Sequence, residues 1–171
     1  MKNILLIIMI VAVLSGCGGD RPIPTSRLDQ PIGNFSFVTP DGWFRNKIAG
    51  IDFIVVSTKP DCGINPNIFV DFVLPSPELN DAVVKLTTTY KSNHLDYEVI
   101  EQADFKTESG LQGVKITARR NSKKQLPLGT YQYVIKEVDR VIAITCTCAD
   151  SVKEKYEPIF DQTLRTLETE N

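Results

Sequence analysis

The chain has 171 residues, 42 % of them hydrophobic and 23 % charged, with a formal net charge of −2. That size and composition suit one globular domain that buries its own core without the help of a cofactor. The balance of charge excludes the basic footprint that nucleic acid requires and any polybasic patch for anionic lipid.

Residues 1–16 begin with Met1, Lys2 and Asn3, continue through the unbroken apolar run Ile4 to Leu14, and close on Ser15 and Gly16. A cationic start, a short apolar stretch and small residues before a cut predict a signal peptide. The run is too short for a bilayer, which takes about 20 apolar residues. It also lacks the polar face of a helix packed on a core.

The next residue explains the segment. Leu14-Ser15-Gly16-Cys17 resembles the lipobox of bacterial lipoproteins. The resemblance implies cleavage between Gly16 and Cys17, diacylglycerol on the Cys17 thiol and acylation of the new terminus. Two or three acyl chains anchor a protein stably where one does so only marginally. Gly18 follows in place of Asp, which by the same resemblance implies the outer membrane, facing the periplasm, in a double-membraned host. The expected covalent lipid on Cys17 is the sole non-protein group; no other cofactor and no metal is expected. Residues 17–33 then form a lipidated terminus and tether. Its stretch "GGDRPIPTSRLDQPIG" has no apolar period and a mean reach of roughly 20–25 Å as a coil.

Residues 34–171 are expected to form one α+β domain. "NFSFV" alternates at period two, and Pro40-Asp41-Gly42 ends it in a turn. "IDFIVVST" (51–58) and "NIFVDFVL" (67–74) are the next strands, separated by a loop containing Cys62. From Glu78 to Lys91 the period changes, and Leu79, Val83, Leu86 and Tyr90 fall on one helical face. Four strands follow, over 97–106, 111–119, 128–138 and 140–148. A last helix is expected near Ser151, whose spacing to Glu154 is that of a capping box. Val152, Tyr156, Ile159 or Phe160, Thr163 and Leu167 form its inner stripe, and Pro158 should kink or restart it.

Strands joined mostly by short turns, with two helices, predict an antiparallel sheet with helical cover. "FSFVTPDGWF" (35–44), with its aromatic strand and "P-x-G-W" corner, resembles the opening of the PsbP/Mog1-like family. The order that follows matches that family as well. What the resemblance implies is an α/β/α sandwich serving as a compact binding or accessory module. No residues of either known family interface have counterparts here, so the fold transfers and the function does not.

Few residues point to chemistry. His94, the sole histidine, closes the first helix, where a cation-compatible side chain suits the dipole. One histidine cannot supply a two-histidine zinc motif, and neither a G-x-S-x-G elbow nor a phosphate-binding P-loop occurs. Asp52 and Asp71 interrupt apolar strands, and strand alternation assigns both to a solvent face. No catalytic residues are expected, and the protein is not expected to be an enzyme.

With Cys17 lipidated, Cys62, Cys146 and Cys148 remain, an odd number in an exported chain. Cys146 and Cys148 share a strand face. A disulfide from Cys62 to either of them is the leading expectation; buried free thiols and a redox or metal site are the alternatives. Trp43 and Phe44, after a turn, and Tyr131 and Tyr133, on one strand face, are either core or a partner-binding patch. These features together predict a membrane-anchored, non-enzymatic binding or accessory module for an envelope protein complex. The alternative is a thiol-based redox or metal-binding envelope protein using Cys62, Cys146 and Cys148.

Overall fold

The computed structural model describes residues 27–30, 35–48, 51–75, 78–94, 96–122 and 125–169. The signal segment, Cys17, Gly18 and the tether up to residue 26 lie outside the described residues. In chain order the elements are β1 (Arg27–Gln30), β2 (Phe35–Val38), β3 (Trp43–Ile48), β4 (Ile51–Ser57), β5 (Asn67–Pro75) and α1 (Leu79–Asn93). There follow β6 (Glu98–Lys106), β7 (Gln112–Asn121), β8 (Pro127–Lys136), β9 (Arg140–Ala149), a 3-10 turn (Asp150–Val152), α2 (Lys153–Arg165) and β10 (Glu168–Thr169).

Seven strands form one antiparallel sheet in the order β3-β4-β5-β9-β8-β7-β6, and β1-β2-β10 form a second, small one. The helix α1 packs across β7, β8 and β9, while α2 packs on β8, β9 and β2. The main sheet is therefore covered on both faces. Ala82, Val83, Leu86 and Tyr90 of α1 meet Ile116, Ala118, Val134 and Ala143 in one core. Tyr156, Phe160 and Leu164 of α2 meet Ile135, Ile142, Ile144 and Tyr133 in the other, together with Phe35, Phe37 and Phe53. This double cover explains why β8 and β9 are buried along almost their whole length, as a strand with two apolar sides must be.

The expected strands and both helices occur, with ends shifted by a few residues. The Pro40–Gly42 corner is closed by the Trp43 N–H donating to the Pro40 carbonyl, with Gly42 at φ 76°. A glycine suits that left-handed position at little steric cost. Three elements were not expected: β1, which falls inside the segment assigned to the tether, β3 and the two-residue β10.

The start of the last helix departs from expectation. Ser151 lies in the 3-10 turn, the helix is capped at Val152, and no side chain caps it. The capping box therefore does not form. Nor does Pro158 restart the helix: α2 runs unbroken from Lys153 to Arg165. Pro158 is on the exposed side, where water can take the Glu154 carbonyl that lost its partner.

Candidate functional site at the Asp71 bulge

The most unusual chemistry of the molecule lies where β5 breaks its register with β9. Val70 pairs with Ile144 and Phe72 with Ala143, leaving Asp71 as the extra residue of a β-bulge. Such bulges bend a strand and re-aim side chains. The Asp71 carboxylate turns toward α1, against the expectation that it faces solvent. The physical reason is the second helix-covered face: a sheet sandwiched between layers has no outward side at its centre. The side chain of Asp52 lies outside the described residues.

Asp71 ends a directed chain of hydrogen bonds. Tyr97 donates to Gln132 Oε1 at 2.5 Å, and Gln132 Nε2 donates to Thr145 Oγ1 at 3.3 Å. Thr145 in turn donates to Asp71 Oδ2, and Tyr90 donates to Oδ1 at 2.9 Å. Bonds that all point toward one carboxylate polarise each other in the same sense. Four elements, β5, α1, β8 and β9, are joined this way with Tyr97, the residue before β6.

Burial dominates the electrostatics. It raises the Asp71 carboxyl from 3.8 to about 6, against the hydrogen bonds from Thr145 and Tyr90 and the charge of Arg120, which lower it. Burial also lifts the Tyr90 phenol far above its ordinary range and the Tyr97 phenol to about 12, with the Asp71 charge adding to both. Both tyrosines therefore stay protonated donors, and Asp71 is the member of the cluster that titrates near neutrality. The site can hold or release one proton. It offers no second group for paired acid–base work and no activated nucleophile.

Beside this chain three buried polar atoms have no partner among the described residues: Arg120 Nε, Thr130 Oγ1 and Thr147 Oγ1. Thr130 and Thr147 lie directly opposite each other on β8 and β9. Arg120 also lines a surface cavity of about 360 Å³ with Asp96, Glu98, Arg119, Asn121, Pro127 and Asp150. The Glu98 and Arg119 side chains there form an ion pair at 2.7 Å.

The residues singled out by sequence fall in several places. Trp43 is half-buried on the lip of a groove of about 410 Å³, shared with Val38, Pro40 and Ile159, and meets Phe160 edge-on at 6.1 Å. Phe44 is half-buried on β3, opposite Val56. Tyr131 and Tyr133 are buried, so they belong to the core and not to a partner-binding patch. They face α2, where the Tyr133 hydroxyl donates to Asp161 at 2.6 Å. His94 caps α1, its backbone N–H donating to the Tyr90 carbonyl, and its ring lies 5.8 Å from that of Tyr90.

The expected disulfide is absent. Cys62, Cys146 and Cys148 are all free thiols. Cys146 and Cys148 point from β9 into the core beneath α2, while Cys62 is exposed at the tip of the Asp61–Ile64 turn. That turn is held to α2 by Asp61, which accepts from Lys155 and from Tyr156, so no covalent staple is needed there. Burial pushes the Cys146 thiol well up and the Cys148 thiol to about 12. Among the described residues no group of three His, Cys, Asp or Glu side chains is placed to hold a metal.

Sequence reasoning missed the Asp71 chain, although a signal was present. Gln132, Thr145 and Asp71 interrupt strands whose apolar residues fall on both faces. A polar residue in such a strand is enclosed whichever way it points, and an enclosed polar group requires partners.

No family model and no curated protein matches the sequence. Solved structures do. The solution structure of cyanobacterial PsbP (CyanoP) from Synechocystis superposes with a TM-score of 0.63 at 16 % identity, over 92 % of this chain and 99 % of that one. The domain has a PsbP-like fold. LpqN of Mycobacterium tuberculosis, described as involved in cell envelope biogenesis, gives 0.61 at 11 % identity, over 88 % of this chain and 90 % of that one. A protein of unknown function from Pseudomonas aeruginosa, PA94, described as a putative regulator, gives 0.56 at 15 % identity over 80 % and 92 %. At such identities the PsbP-like likeness concerns the path of the chain, and each site must stand on its own residues.

Proposed function

We propose that this protein is an envelope lipoprotein, anchored through Cys17, that serves as a non-enzymatic binding or accessory module for a protein complex of the envelope. The observation that supports the reading is the overlap along most of both chains with CyanoP, a cyanobacterial PsbP, and with LpqN, the latter tied by its description to envelope biogenesis. The lipobox-like Leu14-Ser15-Gly16-Cys17 supports the location, and the outer membrane is the proposed one because Gly18 follows the cysteine. Thiol chemistry has weaker support, since buried, protonated Cys146 and Cys148 are poor nucleophiles and poor metal ligands.

The experiment is to crosslink the intact protein in its native membranes and identify what is recovered by mass spectrometry. A recurrent envelope protein, lost when Cys17→Ser removes the anchor, is the expected result. Recovery of abundant neighbours alone, unchanged by Cys17→Ser, would overturn the reading.

A further inference from the structure

We propose that the cavity at the start of β6 and β8 and the end of β7 binds a small molecule bearing one carboxylate, which the guanidinium of Arg120 receives. This site goes beyond the partner-binding reading above and does not depend on it.

Among the described residues Arg120 has no ion-pair partner. The other charges lining the cavity are all engaged: Arg119 with Glu98 at 2.7 Å, Asp96 as acceptor of the Asn121 backbone N–H at 2.7 Å, and Asp150 with Lys153 at 3.1 Å. No described residue gives the Arg120 side chain a hydrogen bond. Its Nε is buried, so the terminal nitrogens Nη1 and Nη2 are the donors left open to the cavity.

The strand register explains this isolation. Neighbouring residues of a strand point to opposite faces, so Arg119 and Arg120 cannot share a partner. Arg119 lies opposite Glu98, the first residue of β6, and the ladder between β6 and β7 ends there. On its other side Arg120 lies opposite Leu128, which is apolar and buried. Arg120 shares its face of β7 with Ile116 and Ala118, which pack beneath α1. Ala118 pairs with Thr130, and Thr130 with Thr147, whose hydroxyls are both sealed from solvent. Asp71 feels the charge of Arg120, but its oxygens accept from Tyr90 and Thr145.

The chemistry of the cavity selects its occupant. A half-buried guanidinium without a counter-charge is costly to hold, and an anion placed on it offsets that cost. Nη1 and Nη2 lie in one plane and present parallel N–H groups, which match the two oxygens of a carboxylate. Phosphate fits less well. A phosphate group carries about 1.5–2 negative charges at neutral pH. One such charge satisfies Arg120, and the rest meets Asp96, Glu98 and Asp150 around the same cavity. The volume of about 360 Å³ suits a small molecule.

The test melts the intact lipidated protein in a non-ionic detergent, followed by circular dichroism, with sodium acetate, sodium phosphate or sodium chloride at equal ionic strength. Acetate is expected to raise the melting temperature above that in chloride by about 2–4 °C once it exceeds its dissociation constant roughly tenfold, and phosphate by less. Arg120→Gln should lose the acetate rise. Should Arg120→Gln not fold, Arg120→Lys serves instead. It keeps the charge without the planar fork and should retain roughly half of the rise or less.

Equal melting in acetate and chloride would overturn the site. A rise that persists undiminished in a folded Arg120 variant would also overturn it, by placing acetate elsewhere. A larger rise in phosphate than in acetate would overturn the carboxylate as the occupant. None of these results bears on crosslinking to an envelope protein, so the two readings fail separately.

Discussion

Tyr90, in the last turn of α1, donates its phenolic proton to Asp71, the bulged residue of β5, across 2.9 Å. One contact thus ties the helix to the bulge of β5. The carboxylate it serves is held by Thr145 as well and lies in the field of Arg120.

Asp71 makes stability depend on pH in a definite direction. Its folded value of about 6 lies above the ordinary 3.8, so the folded protein binds the proton more tightly than the unfolded chain. The stability it contributes is full below pH 3.8 and lost as pH rises through 6, a change on the order of 3 kcal/mol. Asp71→Asn is therefore expected to exceed the native protein in stability at pH 8 by up to about 3 kcal/mol and to match it near pH 4. Urea denaturation across that range checks this. A constant difference at every pH would rule it out.

Tyr90→Phe should behave in the opposite way. It removes the donor to an ionised carboxylate at pH 8, for a cost of about 1.5–3 kcal/mol, and the donor to a neutral acid at pH 5, for about 1 kcal/mol. The same denaturation series reads the difference. Equal costs at both pH values would mean that the phenol does not feel the charge on Asp71.

The thiols should separate cleanly by burial. Native protein treated with a maleimide is expected to carry label on Cys62, with Cys146 and Cys148 reacting after unfolding. Peptide mass spectrometry gives the positions. A Cys62–Cys146 or Cys62–Cys148 disulfide peptide in the oxidised native protein would contradict the free thiols.

Gly113 is set by space. A Cβ there would lie 2.5 Å from the Val134 carbonyl oxygen and 3.2 Å from Ile135 Cα on the adjoining strand. Gly113→Ala must push β7 and β8 apart and is expected to cost about 2–3 kcal/mol. A melting temperature within a degree of the native one would refute this.

Lys115 holds α2 to the sheet. Its ammonium lies 2.7 Å from Glu157 and 2.8 Å from Asp161, with its side chain 12 % exposed. Lys115→Met leaves those two carboxylates facing each other without a cation and is expected to destabilise by about 3 kcal/mol. Lys115→Arg, which keeps the charge, should recover most of the loss. Equal melting of the two variants would show that charge is not what the site needs.

The local order of this chain was legible before its shape. The period-two run "NFSFV", the β-branched "IDFIVVST" and the Leu79–Val83–Leu86–Tyr90 stripe announced strand and helix, because a side chain's direction depends on its own backbone and near neighbours. Turn residues did the same at Pro40–Gly42 and Asp139–Arg140. What faces a strand from the other side depends on residues far away in sequence. α1 comes from residues 79–93 and α2 from 153–165, and only their packing on opposite faces set the half-buried Asp71 against Tyr90 and buried Tyr131, Tyr133, Cys146 and Cys148. The contacts of Phe53 with Phe35 and Phe37 have the same origin, since they join β4 to a small sheet that β10, at residues 168–169, completes. The sequence by itself determined where most strands and both helices form; the tertiary structure decided which faces are dry and which thiols are sealed, because burial is a property of the assembled layers.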